Sequence, residues 1–266
     1  MNSCLFWAYL QWVRFVTLSS YRNKDWRKKR IKECHEKLVE VPPNLAYPFY
    51  TNEMGLSSDS KIYLRQGVLD RFLIAKEYVS KYNPEYYLVV YDGWRSLEIQ
   101  EKLFWIYLKL YTIPKFKLER KFELTKNIEE IRLIFSELST ETQITLREAN
   151  RQYVSWPSDD PLMPSPHFTG GSVDVWLHSK GVPVNLGVPF DYMYKEAGCF
   201  YHLNFFNKRS EIKITKQIAY NRSLMIYSMH KAGFSCYGPE FWHFNYGNQM
   251  DALVKGGDAK YGIILP

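Results

Sequence analysis

Two short segments of this 266-residue chain carry side chains that could bind a metal ion. The first is Pro-Ser-Pro-His-Phe-Thr-Gly-Gly-Ser-Val-Asp, which places His167 and Asp174 seven residues apart on either side of a Gly-Gly turn. It runs from a proline-rich loop into a strand-like apolar segment, residues 173–177. An imidazole and a carboxylate on either side of a tight turn can meet at one point, where one divalent cation would bind both.

The second segment, Glu240-Phe-Trp-His243, follows a Gly-Pro turn, and its alternating aromatic residues predict a strand. A catalytic zinc site takes three protein ligands of the His/Asp/Glu type and leaves a fourth position for water. His167, Asp174 and His243 supply that number. Glu240 would then be the base that deprotonates the bound water and carries the proton to a leaving amine.

A third segment offers a permanent cation. Residues 86–91 form a β-rich apolar run that predicts a buried strand, a sharp turn follows, and Ser96 is placed to cap the next helix. Arg95 therefore lies at a strand-to-helix corner, where functional side chains are often exposed. Its planar charge could stabilise a negative oxygen that develops during a reaction.

Each of these residues also has a purely structural interpretation. A histidine on a half-apolar strand is more often a hydrogen-bonded core residue than a ligand, and Asp174 could simply cap a turn. Arg95 could pair with Asp92 or Glu98, for a stability of only ~0.5 kcal/mol. The two spacings, H-x6-D and E-x-x-H, are weak signals when taken separately.

The elements that must position these residues are short strands joined by hairpin turns, with helices grouped before and between them. This pattern predicts an α+β fold: a single domain with a central antiparallel sheet flanked by helices. We expect an N-terminal helical appendage at residues 1–40, whose charged part, 24–40, is itself helical in period, and a main domain at 41–266. Residues 112–150 look like an added helical hairpin. Longer helices are predicted at 67–82, after Ser96, and at about 215–232.

The charge and the apolar N-terminal segment indicate which classes of partner can be expected. The net charge of +7 permits an acidic partner, but no nucleic-acid-binding motif is present, so we expect none. Residues 4–18 are apolar but interrupted by Gln11 and Arg14, too short for a stable membrane span, and they lack the features of a secretory signal. They predict a helix packed on the domain; a membrane-surface contact, helped by the basic cluster from Lys24 to Arg30, is the alternative. The cytoplasm is the expected compartment, with the periplasm left open, and the oligomeric state is not readable.

Together, the motifs resemble one family. The order Tyr91-Asp-Gly-x-Arg95, Ser165-x-His167-x-x-Gly170-x-x-x-Asp174 and Glu240-x-Trp242-His243 is similar to that of the D-alanyl-D-alanine dipeptidases of the VanX type, within the M15 zinc metallopeptidases. The similarity covers roughly residues 60–250. It includes a turn at 186–191 and the helical segment from Asn221-Arg222 to Ala232-Gly-Phe234.

The resemblance implies a role for each matched residue. His167, Asp174 and His243 would hold one Zn²⁺ per chain. Glu240 would be the general base and acid, and Arg95 would stabilise the tetrahedral intermediate. Ser165 would help to bind the dipeptide, while Asp92 and Trp94 would shape the pocket. The expected activity is zinc-dependent hydrolysis of the small D,D-dipeptide D-Ala-D-Ala to two D-alanines, in the metabolism of cell-wall peptidoglycan.

Two departures from the family pattern concern substrate choice. Ser172 replaces the small alanine that usually precedes the ligand aspartate, and Trp176 stands where the family has threonine. If Trp176 faces inward, it would narrow or reshape the specificity pocket. The alternatives are a D,D- or L,D-carboxypeptidase acting on longer peptidoglycan stem peptides, and a non-catalytic zinc-containing module that binds cell-wall surfaces. Glu240 argues against the module, because a structural zinc site needs no carboxylate beside an open ligand position.

Overall fold

The computed structural model describes residues 3–22, 24–203 and 212–265. The helices are α1 Ser3–Tyr21, α2 Phe49–Asn52, α3 Gln66–Tyr82, α4 Leu97–Tyr107, α5 Glu119–Phe122, α6 Ile128–Ser136, α7 Thr140–Asn150, α8 Lys216–Lys231 and α9 Gln249–Lys255. The strands are β1 Leu38–Glu40, β2 Tyr63–Arg65, β3 Tyr86–Asp92, β4 Ser172–Ser179, β5 Val182–Pro183, β6 Ser235–Tyr237 and β7 Glu240–Asn245.

The main sheet has five strands in the order β3-β4-β7-β6, with β5 paired to β4, and β1 and β2 form a separate ribbon. All pairs of these named strands are antiparallel, which confirms the predicted α+β class. Residues that alternate along a strand share one face. The odd positions of β4, Val173, Val175 and Leu177, have no exposed surface. Asp174 and Trp176 therefore share the opposite face.

The described chain divides into two compact units. One comprises residues 1–94 and 161–266 and holds the sheet, with α3 on β3 and α8 on β4, β6 and β7. The other, residues 95–160, is helical and contains α4 to α7. In this helical unit the fully buried Asn150 donates to the Phe104 carbonyl and accepts from Thr112. The predicted hairpin at 112–150 falls within it; that the hairpin is an insertion stays a prediction.

Three longer helices lie where the sequence predicts them. Helix α3 spans the predicted segment, and α4 begins after Ser96, whose Oγ accepts from the Ile99 backbone N–H at 3.3 Å. Helix α8 ends just before Gly233, whose φ of 97° lies in the left-handed region that favours glycine. Local capping signals therefore indicated where α4 begins and where α8 ends.

Two local expectations were wrong. Residues 24–40 are not helical beyond a single turn at Trp26–Lys28, because their backbone pairs elsewhere: the Lys32 N–H donates to the Ala259 carbonyl at 2.8 Å, and β1 pairs with β2. One acid of this segment, Glu33, binds the buried guanidinium of Arg65 at 3.0 Å. The strand predicted at residues 173–177 is longer than expected, since β4 continues to residue 179 and includes His178.

Helix α1 packs against α8, α9 and β6. Its buried side chains are Phe6, Leu10, Val13 and Thr17. Among the residues that the structure describes, none of the helices is both long enough and apolar enough to cross a membrane.

Candidate metal centre

Three neighbouring strands bring polar residues into one row across the sheet. Asp174 on β4 is the pairing partner of His243 on β7, and on its other side it faces Asp92 on β3. His167 comes from a short 3-10 turn directly before β4. Gly170 closes this turn with a φ of 67°, a conformation that glycine adopts at no steric cost. The chain therefore folds His167 back over the strand that carries Asp174.

The structure brings the three predicted ligand residues together. His167 Nε2 lies 3.2 Å from His243 Nδ1. Asp174 approaches both imidazoles, with Oδ1 3.0 Å from His243 Nδ1 and Oδ2 3.6 Å from His167 Nε2. One ligand atom from each residue lies within 4.8 Å of the others, and all three residues are buried. Two imidazole nitrogens and a carboxylate oxygen are donors that zinc accepts.

The outward nitrogens of both imidazoles face acceptors. His167 Nδ1 lies 2.7 Å from the Gly93 carbonyl oxygen and 3.1 Å from Asp92 Oδ2. Because a carbonyl oxygen only accepts, Nδ1 must carry the proton, which leaves the Nε2 lone pair directed at the centre. His243 Nε2 lies 3.1 Å from Asn245 Oδ1, so its Nδ1 is directed there in the same way. Such outer partners fix the tautomer and orientation of metal-binding histidines.

Asn245 belongs to a buried polar network that the sequence interpretation missed. Its Oδ1 accepts from His243, from Ser172 Oγ at 2.8 Å and from Asn248 Nδ2 at 2.8 Å. Asn248 Nδ2 also donates to Ser172 Oγ at 2.9 Å. Ser172 is the cross-strand partner of Asn245. Ser172, which stands where the resemblance leads us to expect alanine, thus belongs to the hydrogen-bond network behind the candidate ligand His243. This difference was the one signal in the sequence that could have pointed to the network.

Gly93 is required where it stands, because its backbone approaches both His167 and strand β2. A Cβ built at this position would lie 2.4 Å from the Tyr63 carbonyl oxygen and 2.8 Å from the Ile62 side chain. The next residue, Trp94, donates its backbone N–H to that same carbonyl at 2.7 Å. The carbonyl that orients His167 is therefore held in place by close packing against β2.

Negative charge surrounds the candidate centre. Glu240 Oε2 lies 3.9 Å from His243 Nδ1, and the Glu240 side chain keeps 16% of its surface exposed. Burial by itself lowers the pKa of His243, but the hydrogen bond to Asp174 and the charge of Glu240 outweigh it, so the pKa is raised. A divalent cation would neutralise this excess of carboxylate charge.

Ser165, Trp94 and Arg95 have local contacts that the structure defines. Ser165 is buried, and its carbonyl accepts from the Phe168 N–H in the turn that carries His167. Trp94 donates its indole N–H to the Ile264 carbonyl at 3.0 Å. Arg95 belongs to the helical unit, where its Nη1 donates to Gln100 Oε1 at 2.9 Å. Their parts in substrate binding and catalysis stay predictions.

Trp176 faces the same side of β4 as Asp174, two residues away, which corresponds to about 7 Å along a strand. It is buried, and its indole N–H donates to the Val184 carbonyl at 3.0 Å. Trp176 lines a cavity of about 620 Å³, as do other aromatic residues. These are Tyr47, Phe49, Tyr91 and Phe190. The large side chain that replaces the family's threonine therefore forms a wall of a cavity on the sheet face that carries the candidate ligands.

Two comparisons with known proteins relate the chain to peptidases. The model of the Peptidase_M15 family, described as D-ala-D-ala dipeptidase, matches residues 129–257. This segment of the chain is therefore similar to the M15 peptidases. The chain is also similar to a protein of Synechocystis sp. named "D-alanyl-D-alanine dipeptidase", with 25% identity over 229 residues that cover 83% of this chain and 85% of that protein.

The segment matched to the M15 family contains the whole candidate centre. His167, Asp174, Glu240 and His243 all lie inside it, whereas Asp92 and Arg95 precede it. One segment of the chain therefore combines the match to M15 peptidases with a buried cluster of potential metal-binding side chains.

Proposed function

We propose that this protein is an M15 peptidase that hydrolyses the dipeptide D-Ala-D-Ala to two D-alanines, with one zinc ion bound by His167, Asp174 and His243. The observation that carries the proposal is the convergence of one ligand atom from each of these residues within 4.8 Å, with the Glu240 carboxylate alongside. The name of the Synechocystis relative supports the choice of substrate.

The residues present fit a zinc ion. Each imidazole has its outer nitrogen on an acceptor and its inner nitrogen directed at the centre, as a ligand requires. Three protein ligands leave a position for water, the arrangement of catalytic rather than structural zinc. When bound, zinc lowers the pKa of a coordinated water and polarises the scissile carbonyl.

Glu240 is the proposed general base and acid. Its carboxylate lies next to His243 at the partly exposed edge of the cluster, where it can accept a proton from an attacking water. The same carboxyl group then protonates the nitrogen of the leaving D-alanine, so that no charged amide anion departs. Because Glu240 would stay outside the ligand set, its removal should abolish turnover without releasing the metal.

The other predicted residues have supporting roles. Arg95 would stabilise the negative oxygen of the tetrahedral intermediate through its permanent charge. Ser165 and Trp94 would bind and enclose the dipeptide. For Asp92, the geometry favours a further role, orientation of His167 through Nδ1. Trp176 would affect substrate range from its position two residues along β4 from Asp174, although the lining of the cavity beside it includes none of the three candidate ligands.

The test is an amino-acid release assay on D,D-, L,D- and L,L-dipeptides, with and without chelator. The proposal predicts chelator-sensitive release of D-alanine from D-Ala-D-Ala and little release from L,L-dipeptides. A pentapeptide stem serves as the comparison for the carboxypeptidase alternative. Faster hydrolysis of the pentapeptide than of the dipeptide would contradict the proposed substrate while leaving the metal centre intact.

We also propose a cytoplasmic location. None of the four cysteines forms a disulfide with another, and two of them, Cys4 and Cys34, are exposed thiols. Exposed thiols persist in a reducing compartment. Fractionation of cells that make the protein would check the location, and recovery in a periplasmic fraction would contradict it.

A further inference from the structure

Helix α1 carries large apolar side chains on two opposite sides, although only one of these sides is covered. Phe6, Leu10 and Val13 are buried at the contacts with α8, α9 and β6. A helix face rich in large apolar side chains is normally buried, in a core or in lipid. We therefore expect the uncovered side of α1 to contact a binding partner.

The uncovered side presents several large apolar side chains, with the polar residues Gln11 and Ser19 among them. Leu5, Trp12 and Phe15 keep 68%, 52% and 69% of their surfaces exposed, and they recur at the spacing of residues that share a helix face. Trp7 and Leu18 extend the same side, with 38% and 46% exposed. Single exposed apolar residues are normal, but several large ones on one helix face mark an interaction site.

The positive charge near these apolar residues favours a negatively charged binding partner. Helix α1 contains no Asp or Glu, and its polar residues include Arg14. Exposed basic residues follow directly, at Arg22, Lys24 and Lys28. The acid in this stretch, Asp25, is used locally, since its Oδ1 accepts from the Arg27 backbone N–H at 3.0 Å. A second copy of the chain would offer no carboxylate from its own α1 to these cations.

We propose that the exposed face of α1 docks on an anionic lipid surface. In this arrangement α1 lies in the plane of the membrane, with Trp12 and Phe15 at the level of the head groups and acyl chains. Arg22, Lys24 and Lys28 contact the acidic head groups. The opposite face of the helix keeps its contacts with α8 and α9, so the peptidase domain is held at the surface without a membrane span.

The test is flotation of the full-length protein with vesicles of phosphatidylcholine alone or of phosphatidylcholine with about 30 mol% phosphatidylserine. The wild type should float with the anionic vesicles and stay largely behind with the neutral ones, and added salt should weaken its binding. The variant Trp12→Gln/Phe15→Gln should bind at least tenfold more weakly. Neutralising Arg22, Lys24 and Lys28 to Gln should reduce binding by about fivefold for each charge.

A matched control is available in the helical unit. Leu124 and Leu133 keep 85% and 62% of their surfaces exposed, so Leu124→Gln/Leu133→Gln also replaces two exposed apolar side chains by amides, but leaves α1 unchanged, and should bind like the wild type. All variants should retain wild-type hydrolysis of a soluble dipeptide, because α1 supplies none of the site residues. The proposal is overturned if wild-type protein ignores anionic vesicles, if the control loses binding equally, or if Trp12→Gln/Phe15→Gln changes only the molar mass in solution, which would identify a second copy as the occupant.

Discussion

The replacement Asn245→Leu tests the role of the buried network behind His243. Asn245 has no exposed surface and accepts three hydrogen bonds through Oδ1. After the replacement, Asn248 Nδ2 keeps its bond to Ser172 Oγ, and the serine hydroxyl can rotate. His243 Nε2–H then has lost its acceptor. One buried donor without a partner costs about 1–3 kcal/mol of the free energy of unfolding.

The same replacement should also weaken metal binding. Without Asn245 Oδ1, the proton of His243 is free to move to Nδ1, which removes the lone pair directed at the candidate centre. Loss of such an outer partner typically lowers metal affinity by about 10- to 100-fold. We expect this loss in a titration of zinc against a chromogenic chelator, and we expect the loss of stability in urea unfolding of the metal-free protein.

Asn150→Leu is the matched control for this experiment. Asn150 is also fully buried and also bonds to two partners, but both partners, Thr112 and Phe104, belong to the helical unit. It should lose a comparable amount of stability and bind zinc like the wild type. The reasoning would be refuted if Asn245→Leu bound zinc within twofold of the wild type, or if Asn150→Leu weakened zinc binding as much as Asn245→Leu does.

Three further predictions concern single positions. Gly93→Ala should displace the carbonyl that orients His167 and lower zinc affinity at least tenfold in the same titration, since its Cβ would meet the β2 backbone at 2.4 Å. Ser172→Ala, which restores the family's residue, should cost only ~1 kcal/mol in urea unfolding and leave turnover of the dipeptide near the wild-type rate. Burial, followed by the charges of Lys255 and Lys231, lowers the pKa of His230 to about 4. Its contribution to stability is therefore complete above about pH 6.5 and is lost as the pH falls towards 4, with a slope of at most ~1.4 kcal/mol per pH unit, and urea unfolding of His230→Gln should show a flatter pH dependence in this range.

Much of the candidate site could be predicted because its signals are local. The Gly-Gly turn and the strand after it bring His167 and Asp174 to one place, and the turn before Glu240 places His243 on the next strand of the sheet. Strand alternation and helix capping depend on neighbouring residues, which explains why β3, β4, α3 and α8 were found close to their observed limits. The sequence also singled out Ser172, although only as a departure.

The rest depended on contacts between distant parts of the chain. Residues 24–40 have a helical period, but hydrogen bonds to residues 259 and 260 and to β2 determine their extended form. Asn245 lies two residues after His243, but the network that it joins depends on a hydrogen bond from Ser172, 73 residues earlier in the chain. Local patterns do not report such pairings, since they appear only when the sheet has assembled.

The central claim is that three residues bind the metal while Glu240 carries out proton transfer beside it. The most direct measurement is zinc content by elemental analysis together with D-alanine release, for the wild type, Glu240→Ala and His243→Ala. We predict about one zinc per chain in the wild type and in Glu240→Ala, with turnover abolished in the latter, and a clear loss of zinc in His243→Ala. A wild-type protein without any transition metal under chelator-free conditions, or the reverse pattern in the two variants, would contradict the account.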